Sequence, residues 1–253
     1  MRKFLKIFWI VLRSILLFIF LTFTTCVIVE HISKDILVNQ FINKGVYQEE
    51  LSTEKIKYYK ISYDGSPTMV YNPVTHDCYP GGKGDILVSA EQTTIAPILN
   101  EIITFYAGGH AAYCVGDYQD YSVNVEDDKT IETTETLEIH SAKIYSKEDW
   151  MTNKYFNTVI GLRVDMTEEE YEIVTSVIMS YLDDPYNSTF FFNTTNAKYC
   201  SDLISSGFSY IGRNLNRDSS TTSIYDLIVS PETYISYYHY FDGNGVKHVY
   251  YLG

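Results

Sequence analysis

The residues best suited to chemistry are a cysteine and a histidine, each set among small residues. Cys200 lies in Tyr199-Cys200-Ser201-Asp202-Leu203-Ile204, where an apolar helix is expected to begin. A thiol in the first turn of a helix feels the positive end of the macrodipole and unfilled N–H groups, which favour the thiolate. His110 lies in Gly108-Gly109-His110-Ala111-Ala112-Tyr113-Cys114-Val115-Gly116, at the mouth of an expected strand. An imidazole within reach of the thiol would take its proton and later return one to a leaving group. A carboxylate or amide behind the ring would fix its tautomer, and N–H groups at the helix start would hold an oxyanion. Such a set attacks an amide or ester carbonyl and forms a thioester that water resolves. Each residue also has an inert reading: Cys200 as a small buried apolar group and His110 as a hydrogen-bonded loop residue. Asp85, in Gly84-Asp85-Ile86-Leu87-Val88, reads as a turn residue holding backbone N–H groups rather than as a catalytic acid.

The elements that must position these residues follow from periodicity. Strands are expected over Lys55–Tyr63, Met69–Tyr71, Asp85–Ser89, His110–Val115, Ser122–Val125, Thr130–Leu137 and Val159–Val164. Thr93–Phe105 places Ile95, Ile98, Leu99, Ile102 and Ile103 on one helical face. Thr167 followed by Glu170 is a capping box that opens a helix reaching about Leu182. Cys200–Phe208 reads as a further helix. Tyr234–Phe241 and Val246–Leu252 flank Asp242-Gly243-Asn244-Gly245, a hairpin signal. The many tyrosines, 24 in all, suit a β-rich domain with half-buried positions.

The first thirty residues are of another kind. Arg2, Lys3 and Lys6 precede an apolar run from Ile7 to Val29, interrupted by Arg13, Ser14 and a few threonines. With Ile7–Leu12 counted, the run reaches the roughly 20 residues that a bilayer core requires, and the basic flank places everything after it outside the cytoplasm. A cleaved signal peptide and a lipoprotein signal at Cys26 compete with an uncleaved anchor; Phe23-Thr24-Thr25-Cys26 fits either cleavage pattern poorly. The expected organisation is an anchor over 1–29, a helical juxtamembrane stalk over 30–55, and a hydrolase domain over 56–253. Beyond the anchor stand 15 basic residues against 32 acidic ones, a balance that disfavours nucleic acid as a partner. Three cysteines lie outside the anchor, Cys78, Cys114 and Cys200, with no CxxC pair and no ligand spacing among the six histidines. No metal and no cofactor is expected. Cys114 faces the core or pairs with Cys78.

Between Gly84 and Pro231 the chain resembles the YiiX-like permuted papain-fold amidases, relatives of the NlpC-type cell-wall peptidases. The matching segments are the Gly84-Asp85 strand opening, His110-Ala111-Ala112-Tyr113-Cys114-Val115-Gly116, Thr130-Ile131-Glu132-Thr133-Thr134, and the turn Leu182-Asp183-Asp184-Pro185-Tyr186-Asn187. Tyr199–Ile204 and Ser223-Ile224-Tyr225-Asp226-Leu227 through Pro231 complete them. The order His, Glu, Cys is that of the family and reverses papain's. The resemblance implies an α+β, circularly permuted papain-like (NlpC-type) domain, an antiparallel sheet with packed helices, behind one transmembrane helix. It implies Cys200 as nucleophile, His110 as base and Glu132 as the group orienting the imidazole. Glu135 and Glu138 share the expected strand with Glu132, and Asp202 stands where the family carries Glu.

The expected function is therefore that of a single-pass, membrane-tethered cysteine hydrolase with its catalytic domain extracytoplasmic. Its partners would be membrane lipid, through the N-terminal helix, and a peptide or amide substrate such as a cell-wall peptide or a lipid-linked amide. Lecithin–retinol acyltransferase relatives share the fold, so acyl transfer is one rival; a catalytically silent, tethered binding module is another.

Overall fold

The structure, a computed structural model, describes residues 2–62, 82–90, 104–106, 108–115, 129–135, 140–146, 150, 156–187, 196–216 and 221–253. Their expected strands at 69–71 and 122–125 and most of the expected helix at 93–105 lie outside this set.

Helix α1 (Arg2–Ile42) opens the chain. It is followed by β1 (Val46–Tyr47), β2 (Ile56–Ile61), β3 (Ile86–Ser89), β4 (His110–Cys114), β5 (Lys129–Glu135), β6 (His140–Ser146) and β7 (Thr158–Arg163). Helices α2 (Glu168–Met179), α3 (Cys200–Ser209) and α4 (Ile224–Val229) come next, then the hairpin β8 (Tyr234–Phe241) and β9 (Lys247–Leu252). Among the described residues nine strands form one sheet in the order β1-β2-β9-β8-β7-β3-β4-β5-β6. The pairings are antiparallel except that of β2 with β9, which is parallel. This is a mixed α+β architecture.

Alternation along the strands divides the core. Ile86 and Val88 on β3, Ala111 and Tyr113 on β4, and Ile160 and Leu162 on β7 face the helices, where Val174, Ile178, Leu203, Ile204 and Phe208 meet them. Leu87, Ala112, Cys114 and Val159 face the other way, against Trp150 and Phe156. β3 is buried on both sides, so its continuous apolar run fits a central strand. The Thr167–Glu170 capping box is present at α2: Thr167 Oγ1 accepts the Glu170 N–H at 3.2 Å and Glu170 Oε2 accepts the Thr167 N–H at 2.8 Å. At the β8–β9 turn Asp242 Oδ1 accepts the N–H groups of Asn244 and Val246, which holds its carboxyl below the ordinary range.

α1 is longer than an anchor. It runs unbroken for 41 residues, about 60 Å. Its stretch from Lys3 to Ile42 is long and apolar enough to cross a membrane, and its most apolar window is wholly unburied. Its second half lies against the domain. Phe23 stacks on Tyr106, Thr24 Oγ1 shares a hydrogen bond with Tyr106 Oη at 3.0 Å, and His31 Nε2 bonds the Phe105 carbonyl oxygen at 2.9 Å. Val38 and Phe41 enter the main core beside Ile61, Ile228 and Leu252. Residues 30–42, which fall in the expected stalk, are helical, and Val38 and Phe41 among them pack into the core. Val46–Tyr47 then joins the sheet edge.

Candidate active site

Cys200 is the first residue of α3. Tyr199 is the N-cap in extended conformation and offers no side-chain cap, so the first-turn N–H groups are left to other acceptors. Cys200 itself is buried at 6% exposure, with its helix laid across β4 and α2. Gly207 makes that approach possible, since a Cβ there would meet Ile178 Cγ1 at 2.6 Å.

The residues on either side of Cys200 hold one short segment. Tyr199 Oη accepts the Thr222 N–H at 2.9 Å, and Ser201 Oγ donates to the Thr222 carbonyl oxygen at 2.7 Å. Asn216 Nδ2 donates to Thr222 Oγ1 at 3.1 Å. Thr222 is wholly buried. Burial, reinforced by the charge of Asp202, pushes the Tyr199 phenol well up, so it stays a neutral hydrogen-bonding group. Ser223, next in sequence, caps α4 through Asp226 and donates to Glu30 Oε2 of α1 at 3.4 Å.

Lys198 and Asp202, two residues before and after Cys200, form a buried ion pair, Nζ to Oδ2 at 3.3 Å. Lys198 lies over the Tyr181 ring and Ser206 Oγ donates to Asp202 Oδ1 at 3.3 Å. Burial raises the Asp202 carboxyl and Lys198 opposes the shift. Sequence reading missed the pair, although its i,i+4 spacing was visible.

His110 is the first residue of β4, partly exposed, behind Gly108 with φ +84°. Gly108 is obligatory there: a Cβ would meet Ile224 Cγ1 at 2.0 Å. Ile224 follows Ser223 and Thr222, which places the start of β4 at the end of α3 that carries Cys200. Phe208, two turns on, meets Tyr113, three residues further along β4. The two residues therefore stand at the same end of the helix-on-sheet sandwich. The His110 ring stacks with Trp150 at 5.6 Å and with Phe156 at 6.1 Å, on the face opposite α3, as the register of His110 with Ser89 requires.

Glu132 lies on β5 opposite Lys143, two positions from Thr130, the partner of Cys114. Its side chain is outside the described residues, as is Cys78, so the role expected of Glu132 and a Cys78–Cys114 bond both lie outside what the structure describes. Cys114 is buried beside Ala112 on the Trp150 face. Asp85 is the turn residue the sequence suggested: Oδ2 accepts the Gly82 N–H at 2.9 Å. Its partner Arg163 was not foreseen. Among the described residues no three His, Cys, Asp or Glu side chains gather into a set able to hold a metal ion.

No protein-family model matches the chain, and no curated protein matches it. One solved structure similar to it is that of the metalloprotein YiiX from Escherichia coli O157:H7. The likeness has a TM-score of 0.47 at 12% identity, covering 62% of this chain and 97% of that one.

Proposed function

We propose that this chain is a membrane-tethered cysteine hydrolase of permuted papain-like fold, acting on an amide through Cys200. The observation that carries the reading is the placement of Cys200: a thiol at residue one of a helix without a side-chain cap, at the same end of the sandwich as His110. There the start of the helix offers N–H groups to an oxyanion. His110 is at a strand terminus behind two glycines; this reading requires its imidazole to turn from Trp150 round the strand end to reach Cys200. By register Glu132 falls on the sheet face of Cys114 and His110, opposite α3, so an imidazole-orienting role for it rests on the resemblance and not on this placement.

A second reading has an observation of its own. The His110 ring stacks on Trp150, on the sheet face opposite the helix of Cys200, an arrangement that suits a catalytically silent binding module. The rate of iodoacetamide labelling of Cys200 against pH, in the full chain and in His110→Ala, separates the two. The hydrolase shows labelling that persists well below pH ~8.5, the ordinary thiol value, and weakens without His110. Slow labelling indifferent to His110 sinks the hydrolase and leaves the binding module. Acyl transfer with the same residues is distinguished by its product, an acylated acceptor instead of a free acid.

A further inference from the structure

α1 ties the height of Cys200 to the membrane. No Gly or Pro interrupts the chain from Arg2 to Ile42, and the helix is continuous over that range. If the apolar run enters the bilayer at Ile7, about 20 residues of helix cross the ~30 Å core and leave it near Cys26. Contact with the domain starts before that point: Tyr106 meets Phe20, Phe23 and Thr24. It continues without a gap through His31 to Val38 and Phe41. A domain gripped along some five turns of the same rigid helix cannot rise from the surface as one on a flexible tether would.

Cys200 is close to that exit. Glu30 lies one turn beyond Cys26, roughly 6 Å along the axis. Ser223 Oγ donates to Glu30 at 3.4 Å, and the adjacent Thr222 is bonded to both neighbours of Cys200. Two such links leave Cys200 within roughly 15 Å of Glu30. A domain of this size is about 40 Å across, so the thiol lies in its membrane-proximal half. On the open side of α1 at the same level, Ile28 and Val29 are 44% and 51% exposed, apolar surface suited to lipid and not to water. The acidic balance of the domain means that contact rests on these apolar and aromatic groups, not on attraction to anionic lipid.

We infer that the Tyr106 edge of the domain sits at the boundary between the hydrocarbon and headgroup layers of a bilayer that α1 crosses. The substrate of Cys200 is then a lipid-anchored amphiphile whose scissile amide or ester lies at headgroup level, not a strand of distant wall polymer. This rests on the hydrolase reading above.

The test uses the full chain in phosphatidylcholine vesicles, with a maleimide carried either on phosphatidylethanolamine headgroups or on soluble N-ethylmaleimide at equal bulk concentration. Modification of the Cys200 peptide is read by mass spectrometry. At least tenfold faster labelling by the lipid-borne reagent is expected. Labelling by the soluble reagent but not the lipid-borne one overturns the inference and leaves the hydrolase reading standing. Labelling by neither shows Cys200 to be inaccessible and overturns both.

Discussion

Arg163 grips Asp85 with two parallel hydrogen bonds, Nε to Oδ1 at 2.8 Å and Nη2 to Oδ2 at 2.9 Å, in a site closed to solvent. The pair joins the start of β3 to the end of β7, and the Gly82 N–H also donates to the carboxylate. Removing one member leaves the other charged, buried and unpaired, a cost of about 3–5 kcal/mol. Asp85→Asn and Arg163→Met should each lower the urea unfolding free energy by that amount at pH 7. The double variant Asp85→Leu/Arg163→Met should recover most of the loss. Additive losses would show that the two residues act separately.

Gly108 tests the contact that brings β4 to the end of α3 that carries Cys200. Alanine there meets both a left-handed backbone and Ile224 Cγ1 at 2.0 Å. Strain and overpacking together amount to about 2–4 kcal/mol. Gly212 is also left-handed, at φ +76°, but has open space around its Cβ position. Gly212→Ala should cost only about 1 kcal/mol. Thermal melts of the two variants compare them directly. Equal destabilisation would mean that the Ile224 contact relaxes without cost.

Local signals were faithful wherever the pattern was local. The strand at His110, the Thr167 capping box, the hairpin about Asp242 and the helix that starts at Cys200 all stand where their residues put them. Period-two alternation puts His110, Ala112 and Cys114 on one face of β4. It could not reveal which face the helices cover, since both flanking sets, Ala111 with Tyr113 and Ala112 with Cys114, are small or apolar. Hence the opposed placement of His110 and Cys200 was not legible. Arg163 was missed because a buried ion pair between residues far apart in sequence has no local pattern. The continuation of α1 past the apolar run was obscured because Glu30, His31, Lys34 and Asp35 look like the start of a solvated spacer, whereas Glu30 and His31 turn inward.

His239 gives the fold a pH dependence of known sign. It is wholly buried in β8, with Tyr237 Oη on Nδ1 at 2.9 Å, Phe241 against its ring and Lys247 nearby. Burial first, then the Lys247 charge, hold its pKa well below 6.5, so it is neutral when folded and takes up a proton on unfolding. The unfolded state therefore binds more protons below about pH 6.5, and stability falls as the pH drops. The slope approaches 1.4 kcal/mol per pH unit above the folded pKa. Urea unfolding between pH 7 and 5 should show this decline, and His239→Gln should flatten it by one proton. An unchanged slope in that variant would place the acid sensitivity elsewhere.

The packed half of α1 leads to a prediction about where the folding unit begins. Val27, Val38 and Phe41 are each less than a tenth exposed, and the last two belong to the main core. Burying each contributes about 1.5–3 kcal/mol, a large share of the 5–15 kcal/mol typical of a whole domain. A chain starting at Phe23 keeps all three; one starting at Val46 loses them and exposes Ile61, Ile228 and Leu252 to water. The longer form should melt cooperatively by circular dichroism. The shorter should melt at least ~10 °C lower, since about 5 kcal/mol corresponds to that shift or more at this size, or lose cooperativity altogether. If both melted together, the second half of α1 would rest on the domain without holding it, and the fixed height inferred for Cys200 would lose its mechanical basis.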